Sequence, residues 1–214
     1  MTNAYITITN VNKKIKTQQI LKNINVTFEQ GKTHGIVGRN GSGKSMLLKT
    51  ISGLTPVTSG EIVVNGKVLG KDCDFPESMS CIIESPSFLS AESGLNNLKY
   101  LQNLTQKPDK QYLAKIMEQV GLKEHMHKKA GKYSTGMKQR LGLAQVLMDN
   151  NDLIILDEPL NGLDEKAMKE FRDILLNMKK KNKTLLIATH MPEDVEMLCD
   201  TVSKMSNGEL IKIR

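Results

Sequence analysis

Gly38-Arg39-Asn40-Gly41-Ser42-Gly43-Lys44-Ser45 fits G-x-x-x-x-G-K-S/T, the spacing of a phosphate-binding P-loop. Glycines at 38, 41 and 43 free the backbone from side-chain clashes, so successive N–H groups can turn toward one anion. Lys44 would reach the β and γ phosphates, and Ser45 would offer its hydroxyl to Mg2+. The expected nucleotide-binding set is Gly38, Asn40, Gly41, Ser42, Gly43, Lys44, Ser45 and Met46. A Gly/Ser-rich turn carrying a chance lysine is the competing reading. It is disfavoured by the flanks: Gly35-Ile36-Val37 reads as a buried strand and Met46 to Ile51 as a buried helix. The chain is expected to bind a nucleoside triphosphate.

A second reactive group follows Leu153-Ile154-Ile155-Leu156, a continuous apolar run of the kind central parallel strands show. Asp157 and Glu158 stand at its carboxyl end, where open α/β sheets bind their ligands. Asp157 is placed to hold Mg2+, and Glu158 to orient and deprotonate an attacking water. Alone, the pair would also suit a solvated acidic turn; beside the glycine loop the chemical reading prevails. His190 stands at the end of the next apolar run, Thr184 to Ala188, just after Thr189, where an imidazole can contact a terminal phosphate and steady the water. Ser134-Thr135-Gly136 precedes a further helical stretch, with Ser134 placed as its N-cap. A cap leaves the remaining N-terminal donors free to meet an anion.

The elements that must position these residues are legible in outline. Tyr5 to Thr9 and Ile24 to Phe28 alternate as strands, and Asn65-Gly66 marks a hairpin turn after Glu61 to Val64. From about 88 to 132 strand patterns vanish; Leu95, Leu98 and Leu101, then Leu113, Ile116, Met117 and Val120, recur at helical spacing. Met137 to Met148 is apolar on most faces, Ala167 to Met178 is amphipathic, and Asn207-Gly208 closes a final hairpin. The expectation is one domain of 214 residues. Residues 1–87 and 133–214 form the α/β core with its antiparallel part, and 88–132 a helical insertion.

Composition bounds the partners. Hydrophobic residues make up 39%, enough for a packed core, and net charge is +7. The charge suits nucleic acid or an anionic surface, but equally a lysine-rich solvated face. Aromatics are 4% with no Trp, so base-stacking platforms are not expected. Cys73, Cys81 and Cys199 are widely spaced and read as reduced core thiols, and His125 and His127 as loop residues rather than a metal pair. No apolar run approaches the roughly 18 to 20 residues that span a bilayer. The N-terminus lacks a signal-peptide pattern, so a cytoplasmic protein is expected.

On these motifs and their order, the chain resembles the nucleotide-binding subunit of an ABC transporter from about Ile6 to the C-terminus. Residues 38–45 match the family's Walker A motif and Leu153 to Glu158 its Walker B motif. Ser134-Thr135-Gly136 with Lys138-Gln139-Arg140 resembles the family signature, Asn161-Gly162-Leu163-Asp164 the D-loop, and His190 the switch histidine. The resemblance implies a P-loop NTPase (RecA-like) core of α/β class with a mostly parallel sheet, a small antiparallel β subdomain and an inserted α-helical subdomain. It also implies ATP and Mg2+ as ligands. A second ATPase subunit, a homodimer in the simplest case, would press Ser134, Thr135, Gly136 and Asp164 against the opposite ATP.

Three departures qualify the resemblance. In Tyr133-Ser134-Thr135-Gly136-Met137 the family usually has Leu-Ser-Gly-Gly-Gln. Glu84 occupies the position of the Q-loop glutamine; a carboxylate there can still reach Mg2+ or water, and adds negative charge beside the phosphates. The family stacks adenine on an upstream aromatic, where Ile15 is the nearest candidate here. Glu84 and the Ser-x-Gly-Met-Lys-Gln-Arg signature resemble subunits of bacitracin-type and lantibiotic export and immunity systems. The implied function is ATP hydrolysis driving a separate membrane permease, with nucleic acid not expected as a partner and the subunit held on the inner face of the membrane. The alternatives are a soluble ABC ATPase acting on ribosomes, nucleic acid or a protein scaffold, and a non-hydrolysing assembly module, against which Glu158 and His190 argue.

Overall fold

The two continuous apolar runs set the middle of the molecule. In the computed structural model, which describes residues 3–214, Leu153–Asp157 and Thr184–Thr189 are adjacent parallel strands, buried along their whole length. In chain order the strands are β1 (Ala4–Ile15), β2 (Gln18–Glu29), β3 (Thr33–Val37), β4 (Ser59–Val64), β5 (Lys67–Val68), β6 (Met79–Ile82), β7 (Leu153–Asp157), β8 (Thr184–Thr189), β9 (Thr201–Ser206) and β10 (Glu209–Lys212). The helices are α1 (Lys44–Ile51), α2 (Gly94–Gln102), α3 (Lys110–Gln119), α4 (Thr135–Met148), α5 (Glu165–Lys180) and α6 (Pro192–Leu198).

A six-stranded sheet has the order β10-β9-β3-β8-β7-β6, parallel throughout except for the β9–β10 hairpin. A four-stranded antiparallel sheet has the order β2-β1-β4-β5. Alternation along β7 shows why its sequence is apolar at every position. Leu153 and Ile155 join the core shared with α1 and the antiparallel sheet, through Phe28, Ile36, Leu47 and Leu48. Ile154 and Leu156 join the opposite core, with Leu141 and Ala144 of α4, Phe171 of α5 and Leu98, Leu113 and Met117 of the helical segment. Each face of the large sheet is thereby covered, and the strands' carboxyl ends remain open.

Between Gly94 and Lys132 the chain is helical, α2 and α3 followed by two single 3-10 turns. Both α2 and α3 carry side-chain caps, Ser93 accepting from Asn96 N–H and Asp109 from Gln111 and Tyr112 N–H. The segment is tied down by Tyr112 Oη donating to Met148 O at 3.0 Å and Arg140 Nη1 donating to Val120 O at 3.0 Å.

Several expectations need adjustment. β1 and β2 run well beyond the apolar stretches Tyr5–Thr9 and Ile24–Phe28, because their polar continuations still pair as a long hairpin turning at Lys16-Thr17. Strand β6 and helix α6 were not anticipated; both are short, and β6 carries polar Ser80 within its four residues. Of the three thiols, all free, only Cys199 is buried, while Cys73 and Cys81 are half-exposed. Among the described residues no helix is long and apolar enough to cross a membrane.

Candidate active site

Strand β3 ends at Val37 and helix α1 starts at Lys44, so the glycine loop spans the gap at the open edge of the sheet. Gly43 is the N-cap of α1 at φ +113°, a conformation that excludes a Cβ, and it offers no side-chain cap. The first N–H groups of α1 therefore point out with no protein acceptor competing for them, which is what an anion requires. Lys44 is buried, with its Nζ turned back over the loop to donate to Gly38 O at 2.8 Å.

The carboxylates arrive from β7. Glu158 lies at φ +47°, a strained value for a residue with a side chain, and its N–H is fixed on Ala188 O of β8 at 2.9 Å. Its Oε2 meets His190 Nδ1 at 2.8 Å, and its Oε1 lies 3.3 Å from Lys44 Nζ. The latter is an ion-pair distance without hydrogen-bond alignment, since Oε1 has no hydrogen-bond partner among the described residues. Ser42 Oγ and Asp157 Oδ1 are likewise buried and unpartnered. Buried polar atoms are rarely left so. Three at the same loop–strand junction mark a place built to receive a polar ligand.

Burial pushes the Asp157 carboxyl above its ordinary range, and the neighbouring charges of Glu158 and Glu84 push the same way against Ser45 and Lys44. A divalent cation would reverse this, and the donors fit one: the Ser45 hydroxyl and the orphaned Asp157 oxygen are hard oxygen ligands. No group of three or more His, Cys, Asp or Glu is arranged for a metal among the described residues.

These residues border a cleft of about 670 Å³ lined by Asn40, Gly41, Gly43, Lys44, Ser45, Met46, Glu84, Asp157 and Glu158. Gly38, Ser42 and His190 border the adjoining hollow on the β9–β10 side. Ile15 does not line the cleft. It lies at the end of β1, 44% exposed, and beyond the hairpin turn it is Gln18 and Ile20 of β2 that line the wall. Two residues apart, these share one face of their strand. Glu84, at φ +66°, lines the cleft but is ion-paired with Lys49 of α1 rather than placed on Asp157.

Ser134, Thr135, Gly136 and Asp164 stand apart from the cleft. Ser134 accepts from Met137 N–H at 3.3 Å as the N-cap of α4, and both it and Thr135 are exposed. Half-buried Gly136 sits against Leu163. Asp164 caps α5, accepting from Ala167 N–H at 2.8 Å. Within one chain these groups lie outside the cleft lining. Sequence reasoning missed Gln18, Ile20, Arg39, Ser85, Gln139 and Asn161 as cleft-lining residues. Gln139 and Asn161 lay inside motifs already singled out, whereas Gln18 and Ile20 carried no signal until the hairpin turn was known.

The family described as ABC transporter matches residues 21–161 of the chain. An uncharacterized ABC transporter ATP-binding protein of Bacillus subtilis, YybJ, is 41% identical over 96% of this chain and 94% of its own. The bacitracin transport ATP-binding protein BcrA of Bacillus licheniformis is 34% identical over 97% of this chain and 68% of its own. The lantibiotic transport ATP-binding protein SrtF of Streptococcus pyogenes is 33% identical over 95% and 88%. Among solved structures, the dimeric ATP-binding cassette MJ0796 bound to ADP and phosphate superposes with a TM-score of 0.87 at 21% identity, covering 98% of this chain and 99% of that one. The cbiO1 protein of Clostridium perfringens, part of an ABC transporter complex, gives 0.82 at 26% identity over 98% and 87%.

Proposed function

Since the chain belongs to the ABC transporter family, where it is an ATP-binding, ATP-hydrolysing subunit, we propose that it powers a separately encoded permease that exports, or gives immunity to, an antimicrobial peptide or similar amphiphile. The observation that carries the catalytic part is the meeting of Lys44, Asp157 and Glu158 in one cleft, with His190 bonded to Glu158 from the adjoining hollow and with buried oxygens of Asp157 and Glu158 left for a ligand. The peptide part rests on the likeness to BcrA and SrtF, which are named for bacitracin and lantibiotic transport.

The α1 N-terminus and Lys44 bind the phosphates; to do so Lys44 turns from Gly38 O and Glu158, and the Glu158 carboxylate becomes free to take a proton from water. His190, hydrogen-bonded to that carboxylate, fixes its direction. Mg2+, held by Ser45 and Asp157, would neutralise charge developing on the transferred phosphoryl group. Glu84 would join it only on leaving Lys49. A second copy of the chain would supply Ser134, Thr135, Gly136 and Asp164, and close the open side of the cleft. Residues 88–132 form a helical subdomain that docks the permease and holds the subunit on the inner membrane face.

Co-expression tests the transporter reading. With the membrane protein encoded beside it, the subunit should sediment with membranes, and RNA or DNA should leave ATP turnover unchanged. Strong stimulation by RNA that is abolished by salt, with no membrane retention, would replace this reading by the soluble alternative.

A further inference from the structure

Outside the cleft, an ion pair between a largely buried arginine and a fully buried aspartate joins α5 to α6. Arg172 lies on the buried face of α5, two turns or about 12 Å along the helix from Asp164 at its N-cap. Its Nε and Nη2 meet the same oxygen of Asp194, at 2.8 and 2.7 Å, and Asp194 is 1% exposed; Nη2 also donates to the solvent-exposed carboxylate of Glu193 at 3.2 Å. The other Asp194 oxygen accepts from Thr189 Oγ1 at 3.2 Å, and Thr189 Oγ1 in turn accepts from Met191 N–H at 3.1 Å. Between Thr189 and Met191 stands His190. Its ring is 53% exposed, and Glu158 is its one hydrogen-bond partner among the described residues.

A charge pair this deep is a costly way to glue two helices, since apolar residues of the same volume often hold as well or better. What an apolar pair lacks is direction: an oriented carboxylate dictates where the Thr189 hydroxyl points, and that hydroxyl dictates the Met191 N–H. We propose that Arg172 is a positioning residue for His190. Acting through Asp194 and Thr189, it sets the turn from which the imidazole reaches Glu158. It also yokes that turn to the helix that begins at Asp164, so that a displacement of the Asp164 loop is felt at His190. The inference rests on the catalytic reading of Glu158 and His190.

The test compares three variants in ATP turnover, nucleotide KM and thermal unfolding. Arg172→Met alone leaves Asp194 unpaired and should lower both stability and kcat. The double variant Arg172→Met/Asp194→Leu removes both charges; it should regain most of the stability yet keep kcat about 10- to 100-fold down with KM near wild type, as misplacement of a reacting group does. Thr189→Val keeps the ion pair and breaks only the relay, and should lower kcat with little change in Tm. Full kcat in the double variant, or in Thr189→Val, would overturn the proposal and leave the pair purely structural. Glu158→Gln, measured alongside, separates the two levels. If it turns over like wild type, the catalytic reading itself fails. If it is inactive while the double variant and Thr189→Val are normal, only the positioning role falls.

Discussion

Substituting Gly38→Ala tests how tightly the phosphate loop is seated. Gly38 is not at positive φ, so alanine meets no backbone penalty; the cost is space. A Cβ there would lie 2.4 Å from Met205 O and 2.8 Å from Ser42 Oγ, where ordinary contact begins at 3.4 Å. The Ser42 hydroxyl can rotate away. The Met205 carbonyl cannot, because the β9–β10 hairpin is pinned to the loop by Gly208 N–H on Ser42 O at 3.0 Å and to β2 by Lys22 N–H on Gly208 O at 2.8 Å. Loop and hairpin must part by about 1 Å. Overpacking of this kind costs about 1–3 kcal/mol. At about 2–4 °C per kcal/mol for a chain of this size, Tm should fall by about 2–12 °C. If the whole strain reaches the loop, nucleotide affinity should fall by up to about 100-fold. Thermal denaturation and equilibrium binding of a fluorescent ATP analogue read both effects. Gly66→Ala is the control: at φ +78° with no atom within 4 Å of its Cβ, it carries a backbone cost but lies in the β4–β5 turn, and should leave affinity alone. A Gly38→Ala protein with wild-type Tm and affinity would refute the packing argument.

Two further outcomes follow from titrating groups. Burial lowers the pKa of His34, held as the neutral ring between Thr201 Oγ1 at 2.7 Å and Glu29 O at 2.8 Å. Its contribution is therefore full above the ordinary 6.5 and lost as pH falls below it through the depressed folded value. Urea midpoints should fall between pH 7.5 and 5, with a shallower fall in His34→Gln; equal slopes would refute the assignment. Asp157 is raised above its ordinary 3.8, so its folded-state contribution is full below that value and lost as pH rises through the folded one, whereas a cation needs it ionised. Asp157→Asn should stabilise the nucleotide-free protein at neutral pH and weaken Mn2+ binding to the nucleotide complex; unchanged Mn2+ affinity would remove Asp157 as a ligand.

The sequence was most legible where chemistry and burial constrain residue type together. Gly43 and Lys44, the Leu153–Leu156 run and the pair at 157–158 can be read because a phosphate loop and a strand buried on both faces leave few alternatives. The parallel core, the antiparallel sheet and the final hairpin were foreseen in the same way. Polar strand extensions were not: residues 10–15 and 18–23 carry no apolar alternation, yet they pair, and their turn decides that Gln18 and Ile20 rather than Ile15 face the cleft. The Lys49–Glu84 and Arg172–Asp194 pairs were invisible because residues 35 and 22 positions apart meet only through tertiary packing.

The central claim is that Glu158 removes the proton from the attacking water in an ATP-filled cleft. Its most direct test is a parallel measurement of ATP binding and single-turnover hydrolysis in wild type and Glu158→Gln. Gln preserves the shape beside Lys44 and His190 but cannot accept that proton. Binding should be retained while hydrolysis falls by about 10²- to 10⁴-fold, and the trapped ATP complex should dimerise where the ADP complex does not. Hydrolysis at the wild-type rate in Glu158→Gln would contradict the account.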